Sequence, residues 1–316
     1  MKPMRMRALF GVVCVFLGSA SAPPAAKPGI PERVDRATLM DVVRTLSAPE
    51  FEGRATGTDG AARARAFIAR RFEEIGLRPL TQGGFVLPAV AAAPSDEGTL
   101  PKNQHVANVV GLVKGGGADA HVIVVSAHYD HLGIVDGVLY PGADDNASGV
   151  AVLLAAAAYF ATHQPRHDLV FAAFDAEEKN LMGSEAFVTN PPIPIERMRL
   201  AINLDMVSRS DRGEIFAAGI SHHPSLRPAL DEVRRRAPVR LLFGHDRAEE
   251  GKDDWTRDSD HWPFHKAGVP FLYFGVEDHP DYHRPTDTVE RIDPKFFLDV
   301  ANTILDAVVT LDERLD

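Results

Sequence analysis

The sequence predicts an α/β sandwich built around a largely parallel sheet. Three observations lead there. Four apolar runs, residues 122–125, 169–174, 200–204 and 269–274, are continuous rather than alternating, as in strands buried on both faces. Segments with helical spacing fall between and around these runs, the alternation that gives parallel strands. Side chains of metal-binding type follow the runs, and open α/β sheets form their sites at the carboxyl ends of strands.

Taken in order, residues 35–46 carry Leu39, Val42, Val43 and Leu46 at helical spacing, with Asp35 as N-cap. Residues 52–60 (EGRATGTDG) read as a glycine-rich loop. Residues 61–75 form a second amphipathic helix, with Ala64, Phe67, Ile68 and Phe72 on one face and four arginines mostly opposite; Gly76 ends it. Residues 85–98 read as an edge strand and a loop, and 106–113 as a strand. The run at 122–125 leads to His128, Asp130 and His131, then a short glycine-containing loop, then Asp144, Asp145 and Asn146, and a helix over 150–159. The run at 169–174 ends in Asp175, Ala176, Glu177 and Glu178, and that at 200–204 ends in Asp205. Residues 214–218 read as a short strand, 224–236 as a helix, 258–267 as a helical turn or two, 280–288 as a loop and 294–311 as the closing helix. The polar stretch 244–255 is long for a loop in a compact domain, and is therefore functional or mobile. No repeat and no composition break divides residues 35–316, which read as one domain.

Of the 316 residues, 45% are hydrophobic, ample for a large core. Residues 1–22 carry Lys2, Arg5 and Arg7, then an apolar run over 8–17, then GSASA, the order found in a secretory signal peptide. The run is too short for a stable membrane anchor, so the mature chain is expected to be secreted or periplasmic. A Pro- and Ala-rich linker, 23–34, follows. Cys14, the only cysteine, leaves with the leader, which excludes disulfides and thiolate sites from the mature chain. Losing the leader's three cations takes the formal charge from −10 to −13, a poor match for nucleic acid.

His128, Asp145, Glu177, Glu178, Asp205 and His283 each follow a strand of buried type. Singly, such residues usually cap helices or face water; together at strand ends they point to a metal site. Three carboxylates and two imidazoles without thiolate suit zinc, cobalt or manganese. Five ligands are too many for one catalytic zinc but fit two metals sharing a carboxylate, and two divalent ions balance three carboxylates and a hydroxide.

The motifs FEGRATG, AHYDHLG, GADDNASG, AEE, NLDM, SDHWPF and YHRPTDT, in this order over residues 51–288, resemble the secreted double-zinc aminopeptidases of the aminopeptidase S and aminopeptidase Y type (metallopeptidase family twenty-eight, clan MH). The resemblance implies a three-layer α/β/α zinc-exopeptidase fold with a mixed, eight-stranded sheet, two Zn2+ ions and a peptide substrate. It further implies His128 and Asp205 on one zinc, Glu178 and His283 on the other, and Asp145 bridging them, with Asp144 a neighbour. Glu177 matches the family's general base, and Tyr282 a tyrosine that donates to the oxyanion. Asp130 corresponds to a carboxylate that orients His128 from behind; Asp260 and Asp287 are candidates for similar work or for capping turns. His131 reads as pocket lining or structure.

Rival readings stay open at this level. A glutaminyl cyclase shares the fold but uses one zinc, a tryptophan where Tyr282 stands, and no DDNASG-type loop. A carboxypeptidase would need a basic pocket, for which Arg209, Arg247, Arg257 and Arg284 are candidates. A non-catalytic binding module on this scaffold would lack ligands, and none is missing. An aminopeptidase must hold the substrate's α-ammonium. Loops 244–255 and 208–213 are the expected pocket walls, with Asp246, Glu249, Glu250, Asp253 and Asp254 as candidate acids.

Overall fold

The computed structural model describes residues 29–89, 106–118 and 121–315. The expected signal peptide, residues 23–28 of the linker and residues 90–98 of the edge segment lie outside the described residues. Among those described, eleven strands are formed: β1 Arg78–Pro79, β2 Val86–Pro88, β3 Ala107–Val113, β4 Val122–His128, β5 Gly133–Val135, β6 Val138–Tyr140, β7 Asp168–Phe174, β8 Met198–Leu204, β9 Glu214–Ala218, β10 Arg240–Phe243 and β11 Phe271–Gly275. Seven α-helices accompany them: α1 Arg36–Leu46, α2 Asp59–Ile75, α3 Gly149–Thr162, α4 Met182–Thr189, α5 Arg227–Arg236, α6 His261–Lys266 and α7 Pro294–Arg314.

Nine strands form one mixed sheet in the order β1-β3-β7-β4-β8-β11-β9-β10, with β2 also pairing β3. The central run β7-β4-β8-β11 is parallel throughout, and β3 and β9 join it antiparallel. The resemblance implies eight strands, whereas nine are joined here, with β1 and β2 both pairing with β3.

The alternation of side chains along the central strands explains why their sequences run continuously apolar. Ile123, Val125, Leu169 and Phe171 enter the larger core, whereas Val122, Val124, Val170 and Phe174 enter a second core on the other face with Phe187 of α4 and Phe264 of α6. Helices α1, α2, α3, α5 and α7 supply the larger core, so the architecture is α/β/α. Each fully buried Val, Leu or Phe contributes roughly 1.5–3 kcal/mol relative to exposure.

Helix ends follow the expected chemistry, with Asp35 capping α1 by accepting from the Thr38 N–H and Asp293 capping α7. Helix α2 starts two residues before the expected position because Thr58 caps it. Helix α4 is unanticipated: it is short, and Gly183 lies inside it. A Cβ at Gly183 would sit 2.1 Å from the Asp175 carbonyl oxygen, so only glycine lets α4 approach the turn after β7. The linker does not run free to its end. Val34 is buried, and the Arg33 N–H donates to Asn302 Oδ1 on α7 at 2.7 Å.

Candidate metal centre

Because β4, β7, β8 and β11 are parallel, their carboxyl ends open on one edge of the sheet. His128 is the last residue of β4, Asp205 follows β8, Glu177 and Glu178 occupy the turn after β7, and His283 lies in the loop beyond β11. Asp145 comes from the turn Ala143–Ser148 that leads into α3. His128 Nε2 is 3.4 Å from Asp145 Oδ1 and 3.2 Å from Asp205 Oδ1. His283 Nε2 is 3.1 Å from Asp145 Oδ2 and 3.4 Å from Glu178 Oε2. The two oxygens of Asp145 therefore face different imidazoles.

These separations fit cations. Two atoms bound to zinc at 2.0–2.1 Å in tetrahedral geometry stand about 3.4 Å apart. His128, Asp145 and Asp205 form one group of donor atoms within 4.8 Å of one another, and His131, Asp145 and Glu178 form a second. The charge points the same way, because carboxylates at Asp130, Asp145 and Asp205 are buried together and a divalent cation among them offsets their mutual repulsion. His131 thus comes closer to the centre than its sequence suggests. Its Nδ1 is 2.9 Å from Glu178 Oε1, a hydrogen-bond distance, and 3.6 Å from Asp145 Oδ2.

The surrounding polar groups hold these side chains in place. Asp287 accepts from the Asp144 N–H and, at 3.1 Å, from the Asp145 N–H. The Asp130 carboxylate accepts from the Glu177 N–H at 3.0 Å and the Glu178 N–H at 3.3 Å. It lies 3.6 Å from His128 Nδ1, which pairs instead with the Asp130 main-chain oxygen at 3.2 Å. Asp144 is turned away, accepting from Ser208 N–H and O–H and pairing with His279. Asp260 is buried and its side chain makes no capping hydrogen bond at the start of α6. Burial pushes its carboxyl up to about 7.

Several participants carry no sequence signal of their own. Ser259 donates to Asp205 Oδ2 at 2.6 Å and accepts from Asn203, which in turn accepts from Ser126. Thr56 stands between the Asp130 and Asp175 carboxylates. Arg54 is fully buried behind the centre. Ser and Asn at strand positions look like ordinary polar residues until the sheet brings neighbouring strands together, and Arg54 stands out only as part of the FEGRATG motif.

Electrostatics separate the carboxylates. Burial pushes Glu177 well up, against the pull of His128, with Asp205 and Asp260 adding to the rise. Burial also opposes ionisation of Glu178, but hydrogen bonds to His131 and His283 outweigh it and hold that carboxyl below the ordinary range. Burial works against the His283 imidazolium, yet its bonds to Asp145 and Glu178 push it up to about 10. Burial, then the charges of Asp145 and Asp205, raise Tyr282, so its hydroxyl stays a donor.

A cavity of about 570 Å³ opens over His128, Asp145, Glu177, Asp205 and His283. Met206, Trp255, Tyr273, Val276 and Tyr282 contribute to its wall. Asp253, Asp258, Glu277 and Asp278 add four carboxylates against one lysine, Lys252. The stretch 244–255 does form wall, through Lys252, Asp253 and Trp255, and it is braced: His245 stacks on Trp255 at 3.7 Å between centroids. Of the acids expected to face the substrate only Asp253 lines this cavity. Asp246 instead accepts from Gly219 and Ser221, and Asp254 caps Thr256. Residues 209–212 line an adjoining hollow rather than this cavity.

The profile of Peptidase family M28 matches residues 108–308, more than half of the chain. Aminopeptidase YwaD of Bacillus subtilis is 30% identical over 200 residues, 60% of this chain and 41% of that protein. A "Probable zinc metalloprotease" of Pyricularia oryzae is 32% identical over 250 residues, 72% of this chain and 46% of that protein. The chain therefore spans less than half the length of these two relatives. Among solved structures, a zinc aminopeptidase from Bacillus subtilis is similar with a TM-score of 0.69 at 18% identity, covering 88% of this chain and 95% of its own. Porphyromonas gingivalis glutaminyl cyclase is similar with a TM-score of 0.70 at 18% identity, covering 88% and 99%. At that identity the structural likeness speaks for the fold alone. The family match spans β4, β7, β8 and β11 and the residues clustered at their ends, and by it the chain belongs to peptidase family M28.

Proposed function

We propose that the chain is an exported two-zinc aminopeptidase, hydrolysing the N-terminal peptide bond of peptides. The observation that carries this reading is Asp145, whose Oδ1 faces His128 and whose Oδ2 faces His283. One cation falls to His128, Asp145 and Asp205, the other to Asp145, Glu178 and His283. His131 then donates to Glu178 Oε1 and leaves Oε2 for the cation. Bound zinc supplies Lewis acidity and lowers the pKa of water near it.

The chain's own groups do the rest. Glu177 is the carboxylate next to the ligand Glu178 that takes no cation itself, with its main chain held by Asp130; it takes a proton from the attacking water and returns it to the leaving amine. Tyr282 donates its O–H to the oxygen on which charge develops. The excess of carboxylates around the cavity suits a substrate that arrives with an ammonium group, which favours the amino end over the carboxyl end. None of Arg209, Arg247, Arg257 and Arg284 lines the cavity, and Arg209 is tied to Asp281 at 2.7 Å.

The test is turnover of leucyl- and arginyl-nitroanilide, a blocked peptide with a free carboxyl end, and a glutaminyl cyclisation substrate, alongside metal counting by mass spectrometry. Two zinc per chain with chelator-sensitive nitroaniline release supports the proposal. Cyclisation with one zinc, or release from the carboxyl end, sinks it.

Zinc loading also has a proton signature. Against burial, hydrogen bonds to Asp145 and Glu178 push His283 up to about 10, so in the cation-free protein it carries a proton at pH 7 that ligation must remove. Calorimetry in buffers of different ionisation enthalpy should report proton release on zinc binding near pH 7. Binding without proton release would rule out His283 as a ligand.

A further inference from the structure

Arg54 has no exposed surface, and its hydrogen bonds go to main-chain oxygens from three separate segments. Nε donates to Tyr129 O at 2.8 Å; Nη1 donates to Leu46 O at 2.6 Å and Pro141 O at 2.7 Å; Nη2 donates to Gly142 O at 2.8 Å. Its own carbonyl accepts from the His131 N–H at 3.4 Å. Tyr129 stands between His128 and Asp130, and Gly142 opens the turn that carries Asp145. Leu46 ends α1, so the guanidinium ties both loops to a helix of the larger core.

Two further features mark the position. Buried arginines are ordinarily paired with a carboxylate, because a buried cation without one is costly. Here the contacts are to carbonyl dipoles, and the opposing charges, Asp145, Asp287, Asp130 and Glu178, act from a distance. The segment also reaches its place through left-handed backbone. Arg54 has φ 55°, a conformation that is strained for a non-glycine residue and persists where the surroundings impose it. Gly53 has φ 63°, and a Cβ there would lie 2.3 Å from Tyr140 O. Only glycine lets this chain descend far enough to insert the guanidinium.

We infer that Arg54 is a positioning residue of the metal centre, setting the spacing between the His128 and Asp145 loops and acting as a fixed cation among their carboxylates. The inference rests on the two-metal reading above. A planar fork with five donors can satisfy three segments at once; an ammonium cannot reach all of them.

The experiment compares wild type with Arg54→Met and Arg54→Lys, each shown to be folded by circular dichroism at the working temperature. Zinc affinity is measured by competition with a fluorescent chelator, and kcat and KM on one nitroanilide. Arg54→Met is expected to weaken zinc binding about 10- to 100-fold, as loss of groups behind metal ligands does, and to lower kcat with KM within twofold. Arg54→Lys, which keeps the charge and loses the fork, should fall between. A remote core change, Ile304→Val, should lower the melting temperature without altering zinc affinity, separating positioning from general destabilisation. Folded Arg54→Met with zinc affinity within twofold of wild type would overturn the inference. If Arg54→Met does not fold, wild-type affinity in Arg54→Lys overturns it equally. Wild type that binds no zinc would instead remove the two-metal reading itself.

Discussion

Replacing Glu177 with Gln is expected to lower kcat by about 10²–10⁴-fold, the usual contribution of a positioned general base. That corresponds to roughly 3–5 kcal/mol of barrier. The substitution is nearly isosteric and keeps the N–H that Asp130 accepts, so the turn after β7 stays where it is. It removes only the capacity to take a proton. Glu178, the adjacent carboxylate, is already engaged by His131 and His283 and does not stand in for it. Zinc content and KM should therefore remain near wild type, and the acid limb of the kcat profile should disappear. Full turnover by Glu177→Gln would transfer the base role elsewhere.

The second large effect is expected at Asp145. Asp145→Ala removes both oxygens that face His128 and His283, so it should weaken both cations together rather than one. Asp205→Ala, by contrast, should weaken the His128 side first, because Asp205 pairs with His128 at 3.2 Å. Zinc titration of the two variants reads the difference directly: loss of both metals in Asp145→Ala, and retention of one in Asp205→Ala. Retention of two tightly bound zinc ions by Asp145→Ala would show that another group joins the two halves of the centre.

Much of this arrangement was legible from local pattern. Continuous apolar runs announced strands covered on both faces, and β4, β7, β8 and β11 are those strands, parallel and central. Asp35 and Gly76 lie at the expected ends of α1 and α2 because capping depends on neighbours within one turn. Polar residues placed after strands are brought to one edge once those strands are parallel: His128 reaches Asp145 and Asp205, and His283 reaches Asp145 and Glu178. Helix α4 escaped notice because eight residues containing a glycine carry little periodic signal.

The layers and the strand ends that meet are thus written into the hydrophobic pattern, which acts within each segment. Tertiary structure alone decided which acids face the cavity, with Asp258, Glu277 and Asp278 joining Asp253 while Asp246 turns inward to Gly219 and Ser221. It alone brought Ser259 to Asp205 and Arg54 to the carbonyls of Tyr129 and Gly142. Those contacts join residues 54 to 88 positions apart. A hydrogen bond at such separation has no period and no neighbour to betray it; it exists only after the core has drawn the segments together.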